Sequence, residues 1–148
     1  MYIREAREED AEQLSLLLRE IDDEVFLSPE EIKEKLKVMQ NYSFYKVFVA
    51  VEEGRDDTIV GTFTLYILDN LGHRGTPLAV VESVITHQDH RRKGVGRSMI
   101  LKAMEIAAER GCYKLVLSSD IKREGAHTFY DRLGFVRHGV SFRVNLNR

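Results

Sequence analysis

The chain has 148 residues, 43% of them hydrophobic and 31% charged, with a formal net charge of −2. That length and composition suit a single globular domain over residues 1–148 and exclude a disordered chain. The charge balance argues against a protein that works by coating nucleic acid, and no apolar run approaches the ~20 residues that a bilayer span needs.

Cys112 is the one cysteine, so an internal disulfide is excluded and a reducing, cytoplasmic setting is expected. Met1 to Glu9 is charged and lacks the apolar stretch of a signal peptide. Cys112 reads as a small buried apolar residue rather than a nucleophile.

Tyr2 to Ala6 alternates weakly and is read as a short first strand. From Asp10 a helical period places Ala11, Leu14, Leu17, Leu18 and Ile21 on one face. Ser28-Pro29-Glu30-Glu31 is a helix start: Ser28 caps, Pro29 suits the first turn and Glu31 closes a capping box. Ile32, Leu36 and Met39 form that helix's buried stripe. Lys46 to Val51 is a strand, Glu52 to Asp57 a turn, and Thr58 to Leu68 a β-branched and aromatic strand. After a loop over Asp69 to Pro77, Leu78 to Thr86 is apolar on both faces, which predicts a central strand. A basic turn, His87 to Gly96, leads into a helix carrying Met99, Ile100, Ala103, Met104, Ile106 and Ala107, ended by Gly111. Tyr113 to Leu117 is a further strand, Ala126 to Leu133 a short helix stopped by Gly134, and Phe135 to Leu146 supplies one or two last strands. The order predicts an α/β fold in the broad sense, a mixed sheet flanked by helices.

The most informative stretch is His90-Arg91-Arg92-Lys93-Gly94-Val95-Gly96-Arg97-Ser98, between a strand and a long helix. A helix N-terminus offers free N–H groups and partial positive charge. Gly94 and Gly96 remove side chains that would hold an anion off the backbone, and Arg91, Arg92, Lys93 and Arg97 add full charges. Together they make a site for a di- or polyphosphate; standing alone, the segment reads equally as a solvated basic loop. A Walker A loop is absent, because no Gly-Lys-Ser/Thr stands at its fixed spacing, and so is the dinucleotide-binding glycine pattern, because Met99 stands where its third glycine would be.

Arg91-Arg92-Lys93-Gly94-Val95-Gly96 resembles the Arg/Gln-x-x-Gly-x-Gly/Ala motif of the GNAT superfamily of N-acetyltransferases. Val81-Glu82-Ser83-Val84-Ile85-Thr86 looks like the family's fourth strand, and Ala126-His127-Thr128-Phe129-Tyr130-Asp131-Arg132-Leu133-Gly134-Phe135 is similar to its Ala-x-x-Phe-Tyr-x-x-x-Gly-Phe signature. The resemblance implies the GNAT fold, a mostly antiparallel sheet with flanking helices, and acetyl-CoA as co-substrate. Backbone N–H groups of about Arg92 to Arg97, with Ser98 beside them, would hold the pyrophosphate. The pantetheine arm would lie between Val84-Ile85-Thr86 and Leu115-Val116-Leu117, pairing in the manner of an added strand. Where many members carry Asn, this chain has Arg123, which would contact the cofactor through a charge. Val81 to Gly96 with Cys112-Tyr113-Lys114 is similar to the glucosamine-phosphate N-acetyltransferases, favouring an amino sugar or similar small amine as acceptor. A protein acetyltransferase and a non-catalytic acyl-CoA sensor are the other two readings. Family members often dimerise, for instance through their C-terminal strands, so a homodimer is open.

Acetyl transfer needs an uncharged amine, donors for the developing oxyanion and a proton for the departing thiolate. The resemblance places an oxyanion donor at the backbone N–H of Val84 or Ile85, and makes Tyr130 the general acid. Spacing alone allows a second role for Tyr130, because Ala126, Phe129, Tyr130 and Leu133 share a helical face and would pack as core. Glu82 is the candidate base. Period two puts it beside Leu78, Val80 and Val84, where a carboxylate needs either a cleft or a cationic partner. Ser83 faces the other way, in a neighbourhood that can touch the acceptor in related enzymes. The acceptor wall is expected from the first two helices, the Asp69 to Pro77 loop and Glu82. His87 and His90 flank the basic turn and add positive charge, and no His/Cys/Asp/Glu spacing suggests a metal site.

Overall fold

The computed structural model describes residues 1–21, 24, 26–54 and 56–146; Arg55, in the turn expected over Glu52 to Asp57, lies outside them. The chain divides into two compact units, Met1–Val116 and Leu117–Arg148. In the first, the order is β1 (Tyr2–Glu5), α1 (Ala11–Leu18), α2 (Pro29–Met39), β2 (Tyr45–Glu52), β3 (Thr58–Leu68), β4 (Leu78–Thr86), α3 (Val95–Glu109) and β5 (Leu115–Val116). The strands form one sheet in the order β1-β2-β3-β4-β5. Neighbours are antiparallel except β4 and β5, which run parallel.

Local chemistry sets the helix ends. Ser28 Oγ accepts the Glu31 N–H at 3.2 Å while the Glu31 carboxylate accepts the Ser28 N–H at 3.2 Å, with Pro29 in the first turn. At the other extreme, α1 stops sooner than its apolar period suggests. The N–H groups of Glu20 and Ile21 bond three residues back, to Leu17 and Leu18, at 3.1 Å each. That tighter winding turns the chain and leaves Ile21, expected on the buried stripe, exposed.

Helices cover both faces of the sheet. On one, Val49, Val51, Ile59 and Ile85 pack with Ala11, Leu14, Leu17 and Ile32 of α1 and α2. On the other, Phe48 and Phe63 stack at 5.1 Å, and Phe63, Leu65, Met99 and Ile100 are fully buried. Gly61 permits α3 to approach: a Cβ there would lie 2.9 Å from Met99 Sδ and 3.0 Å from Val95 Cγ1. The N-terminal turn of α3 is thereby fixed against β3.

Two expectations about β4 change. It is the penultimate strand rather than a central one, and its apolar character on both faces comes from the two helical layers. Its partner β5 is shorter than the expected Tyr113 to Leu117 and pairs only with Ala79 and Val80. From Val81 onward, that side of β4 has no ladder partner among the described residues. The regular alternation also breaks. Thr64 pairs with Glu82 and Thr62 with Ile85, so Ser83 and Val84 together oppose Phe63. This is a bulge with Ser83 in the left-handed region at φ 53°. Ile85, not Val84, therefore shares the face of Glu82.

In the second unit, α4 (Glu124–Arg132) ends at Gly134, whose φ is 92°. Beyond it, the strands expected over Phe135 to Leu146 do not form: the segment is neither helix nor strand. Its apolar alternation persists, with Val140, Phe142, Val144 and Leu146 each 79–90% exposed. β-propensity becomes a strand only when a ladder partner takes up the N–H and C=O groups, and none does so among the described residues.

Candidate active site

The basic turn is built from its backbone. The N–H of His87 donates to the Val60 carbonyl at 2.8 Å and the N–H of His90 to the His87 carbonyl at 2.8 Å, tying the start of the turn to β3. Two left-handed residues follow, Arg92 at φ 63° and Gly94 at φ 84°. The Gly94 carbonyl accepts the Ser98 N–H at 3.0 Å, leaving the N–H groups of Val95, Gly96 and Arg97 without intrahelical partners. Gly94 supplies no side-chain cap, and the first turn of α3 contains no acidic residue. Arg92, Lys93, Gly94 and Arg97 are exposed around it. A fifteen-residue helix thus ends in open amides and a cluster of cations, the arrangement that takes a phosphate group. Gly96 lies within α3 and shows no positive φ, so of the two glycines only Gly94 is required by backbone conformation.

Arg91 is oriented differently from the other cations. Its Nε donates to the Thr86 carbonyl at 3.3 Å and its Nη2 lies 3.8 Å from a carboxylate oxygen of Glu20. It braces the turn. Each histidine flanking the turn also faces a carboxylate: His87 Nε2 is 3.8 Å from Glu20, and His90 Nε2 is 2.7 Å from Glu52.

Glu82, Ser83, Val84, Ile85 and Thr86 lie on the stretch of β4 whose outer side has no ladder partner beyond Val80 among the described residues. Glu82 is exposed, and its partner is neither Arg nor Lys but the Tyr66 hydroxyl, at 3.3 Å. Burial, then the nearby Glu82 charge and hydrogen bond, push the Tyr66 hydroxyl above its ordinary range. Tyr66 continues an aromatic row, with ring centroids 5.3 Å from Tyr45, itself 5.4 Å from Tyr42. Tyr42 and Tyr45 line a cleft of about 200 Å³ with Leu36 and Met39 of α2. The sequence leads to the expectation of an acceptor wall from the first two helices; of these only α2 lines this cleft, and Tyr45, Tyr66 and Glu20 are not among the candidates. The signal for Tyr66 was its period-two spacing from Thr64, which faces Glu82; Glu20 carried none.

In the second unit, Tyr130 is half-buried on α4, its ring 5.2 Å from Phe129 and 5.6 Å from Phe135. Its hydroxyl has no hydrogen-bond partner among the described residues. Burial raises the hydroxyl above its ordinary range, against the opposing charge of Arg123. Arg123 is exposed at the N-terminal end of α4, and its carbonyl accepts the His127 N–H at 3.1 Å. No group of three or more His, Cys, Asp or Glu side chains able to hold a metal occurs among the described residues. None of the described helices is long and apolar enough to cross a membrane.

The family model of the acetyltransferase (GNAT) family matches residues 9–135. The chain belongs to that family. Acetyl transfer is the activity that gives the family its name, and acetyl-CoA is its usual donor. A glucosamine 6-phosphate N-acetyltransferase of Trypanosoma brucei brucei is 34% identical over 101 residues, 68% of this chain and 65% of the relative. The enzyme of the same name from Schizosaccharomyces pombe is 32% identical over 69% of this chain and 88% of its own. The chain thus spans just under two thirds of the trypanosomal relative. A crystal structure of a Trypanosoma brucei acetyltransferase superposes with a TM-score of 0.87 at 26% identity, covering 98% of this chain and 99% of the other. The GNAT fold and its mixed, mostly antiparallel sheet are as expected.

Proposed function

We propose that this GNAT protein transfers the acetyl group of acetyl-CoA to the primary amine of a small polar acceptor, an amino sugar of the glucosamine 6-phosphate kind. The observation that carries the reading is the start of α3: three free amides, no cap, no acidic residue and a ring of exposed cations. Magnitudes show what else is needed. A helix end contributes about 0.3–1 kcal/mol per anion, and an exposed ion pair about 0.2–1 kcal/mol. Micromolar affinity requires about 8 kcal/mol. The turn alone falls short, so the free edge of β4 over Val81 to Thr86 would supply the remainder by pairing with the pantetheine amides. Arg92, Lys93, Gly94, Val95, Gly96, Arg97 and Ser98 would hold the pyrophosphate. Arg91 keeps the turn in shape, and Val84, Ile85 and Thr86 line the arm. The bulge at Ser83 and Val84 leaves amides outside the regular ladder, where one can donate to the oxyanion.

Glu82 would accept the amine's proton and Tyr130 would protonate the departing thiolate. The names of the two glucosamine 6-phosphate N-acetyltransferase relatives support the acceptor class, as does the aromatic row beside Glu82, a surface on which a sugar ring can stack. The family match crosses from the first unit into the second, which supports one acetyltransferase domain over residues 1–148. A lone cysteine and a net charge of −2 support a cytoplasmic enzyme that needs neither nucleic acid nor membrane. The exposed alternation of Val140, Phe142, Val144 and Leu146 supports a homodimer in which this segment finds its partner strand.

The test is a screen of amines with acetyl-CoA, reading free thiol release. Glucosamine 6-phosphate or a related amino sugar should give the fastest turnover. Turnover confined to peptides would replace the acceptor class, and CoA binding without any turnover would leave a sensor.

A further inference from the structure

Glu20 lies just past α1, far in sequence from the basic turn, yet its carboxylate is inserted against that turn. Its side chain is only 18% exposed. Its oxygens accept the N–H of Gln88 at 3.2 and 3.4 Å. Nε2 of His87 is 3.8 Å away, and so is Nη2 of Arg91. Nδ1 of His87 accepts the Asp89 N–H at 3.1 Å, so the ring's proton sits on Nε2, directed at Glu20. Three features of the turn, the His87 imidazole, the Gln88 amide and the Arg91 guanidinium, therefore converge on one carboxylate.

This placement conflicts with simple electrostatics. A carboxylate beside an anion-binding turn repels the anion and neutralises Arg91, so its charge alone weakens binding. Its contacts have the opposite effect, because they fix the chain over His87 to Arg91, immediately before the left-handed residues Arg92 and Gly94 that aim the free amides. A preorganised turn needs no ordering when the ligand arrives.

We propose that Glu20 is a positioning residue for the pyrophosphate: by holding the Gln88 amide and the Arg91 guanidinium it sets the shape of the turn. This rests on the reading of that turn as the CoA site.

The opposed effects make the test decisive. Calorimetry with CoA is run on Glu20→Gln and Glu20→Ala. Gln keeps an oxygen for the Gln88 amide and loses the charge, so its affinity should equal or exceed that of the wild type. Ala loses both, and its affinity should fall about fivefold, the effect of one hydrogen bond. The loss should appear in KM for acetyl-CoA and not in KM for the acceptor. Gln88→Pro removes the donor from the other side; His87, at φ −52° and ψ 135°, already has the conformation a following proline requires, so this variant should fold and bind CoA a few-fold more weakly. It decides the question should Glu20→Ala not fold. Unchanged affinity in Ala or in Gln88→Pro, or tighter binding in both Glu20 variants, overturns the proposal. If the wild-type chain binds no CoA, the reading of the turn fails instead.

Discussion

Tyr66 on β3 donates its hydroxyl proton to Glu82 on β4 at 3.3 Å, beside the stretch of their ladder where the register slips. The hydroxyl's raised pKa keeps it a donor throughout the neutral range. If Glu82 takes the amine's proton, Glu82→Gln should lower kcat about 100-fold, the lower end for loss of a general base. Tyr66→Phe leaves the carboxylate but removes its anchor, and should lower kcat about tenfold or less. Steady-state rates with an excess of both substrates check this; a Glu82→Gln enzyme at full rate removes Glu82 from the chemistry.

Asp10 accepts Nη1 and Nη2 of Arg4 at 2.7 and 2.9 Å and the Arg7 N–H at 2.7 Å. Burial by itself would raise its carboxyl, but the Arg4 hydrogen bonds and the Arg7 amide outweigh it and hold the group below the usual carboxylate range. With the folded pKa below the unfolded one, the stabilisation is complete above the unfolded value of about 4. It is lost as pH falls through the folded pKa. Asp10→Asn should cost about 3 kcal/mol at pH 7, as for other half-broken buried pairs, and less at pH 3. Urea denaturation at the two pH values measures it, and an equal deficit at both would show that ionisation is not involved.

Much of this architecture was legible in the sequence where local signals agree. Ser28 to Glu31 specifies a cap through side chains that bond to their own backbone, and the spans of β3 and β4 follow from β-branched runs between turns. The bulge was not legible, because alternation across Val80, Glu82 and Val84 continues smoothly while the chain inserts an extra residue. The C-terminal segment shows the same limit: alternation marks what a strand would bury without supplying its partner. At the site, the motif glycines and cations were readable, but the bracing contact of Arg91 depends on Glu20, seventy-one positions away.

Gly94 and Gly61 should fail differently. At Gly94 nothing lies within 4 Å of an added Cβ, but its φ of 84° penalises any β-branched residue. Gly94→Val should therefore fold, cost about 1–2 kcal/mol and lose CoA binding because the turn changes shape. Gly61→Val instead drives methyl groups into Met99 and Val95, and should cost about 1–3 kcal/mol from overpacking. Thermal melts with CoA calorimetry separate the two; a Gly94→Val protein with wild-type affinity would remove the pyrophosphate assignment.

Phe142 is 90% exposed in the middle of the alternating C-terminal segment. If that segment pairs in a homodimer, Phe142→Asp buries a charge at the contact and should convert the dimer to monomer in analytical ultracentrifugation. A wild-type protein that sediments as a monomer at tens of micromolar contradicts the homodimer.

Tyr130 separates catalysis from packing. As acid, it must be protonated when the thiolate departs, and burial, opposed by the Arg123 charge, keeps its pKa raised. Raised above about 10, it places the alkaline loss of activity beyond that pH. Arg123→Gln removes the opposing charge and should move the loss further up. Tyr130→Phe keeps the ring against Phe129 and Phe135, so stability and CoA affinity should hold while kcat falls about 100-fold. A purely structural Tyr130 gives the reverse result, an unchanged kcat and pH profile in the Phe variant, since that substitution deletes only a hydroxyl without a partner among the described residues.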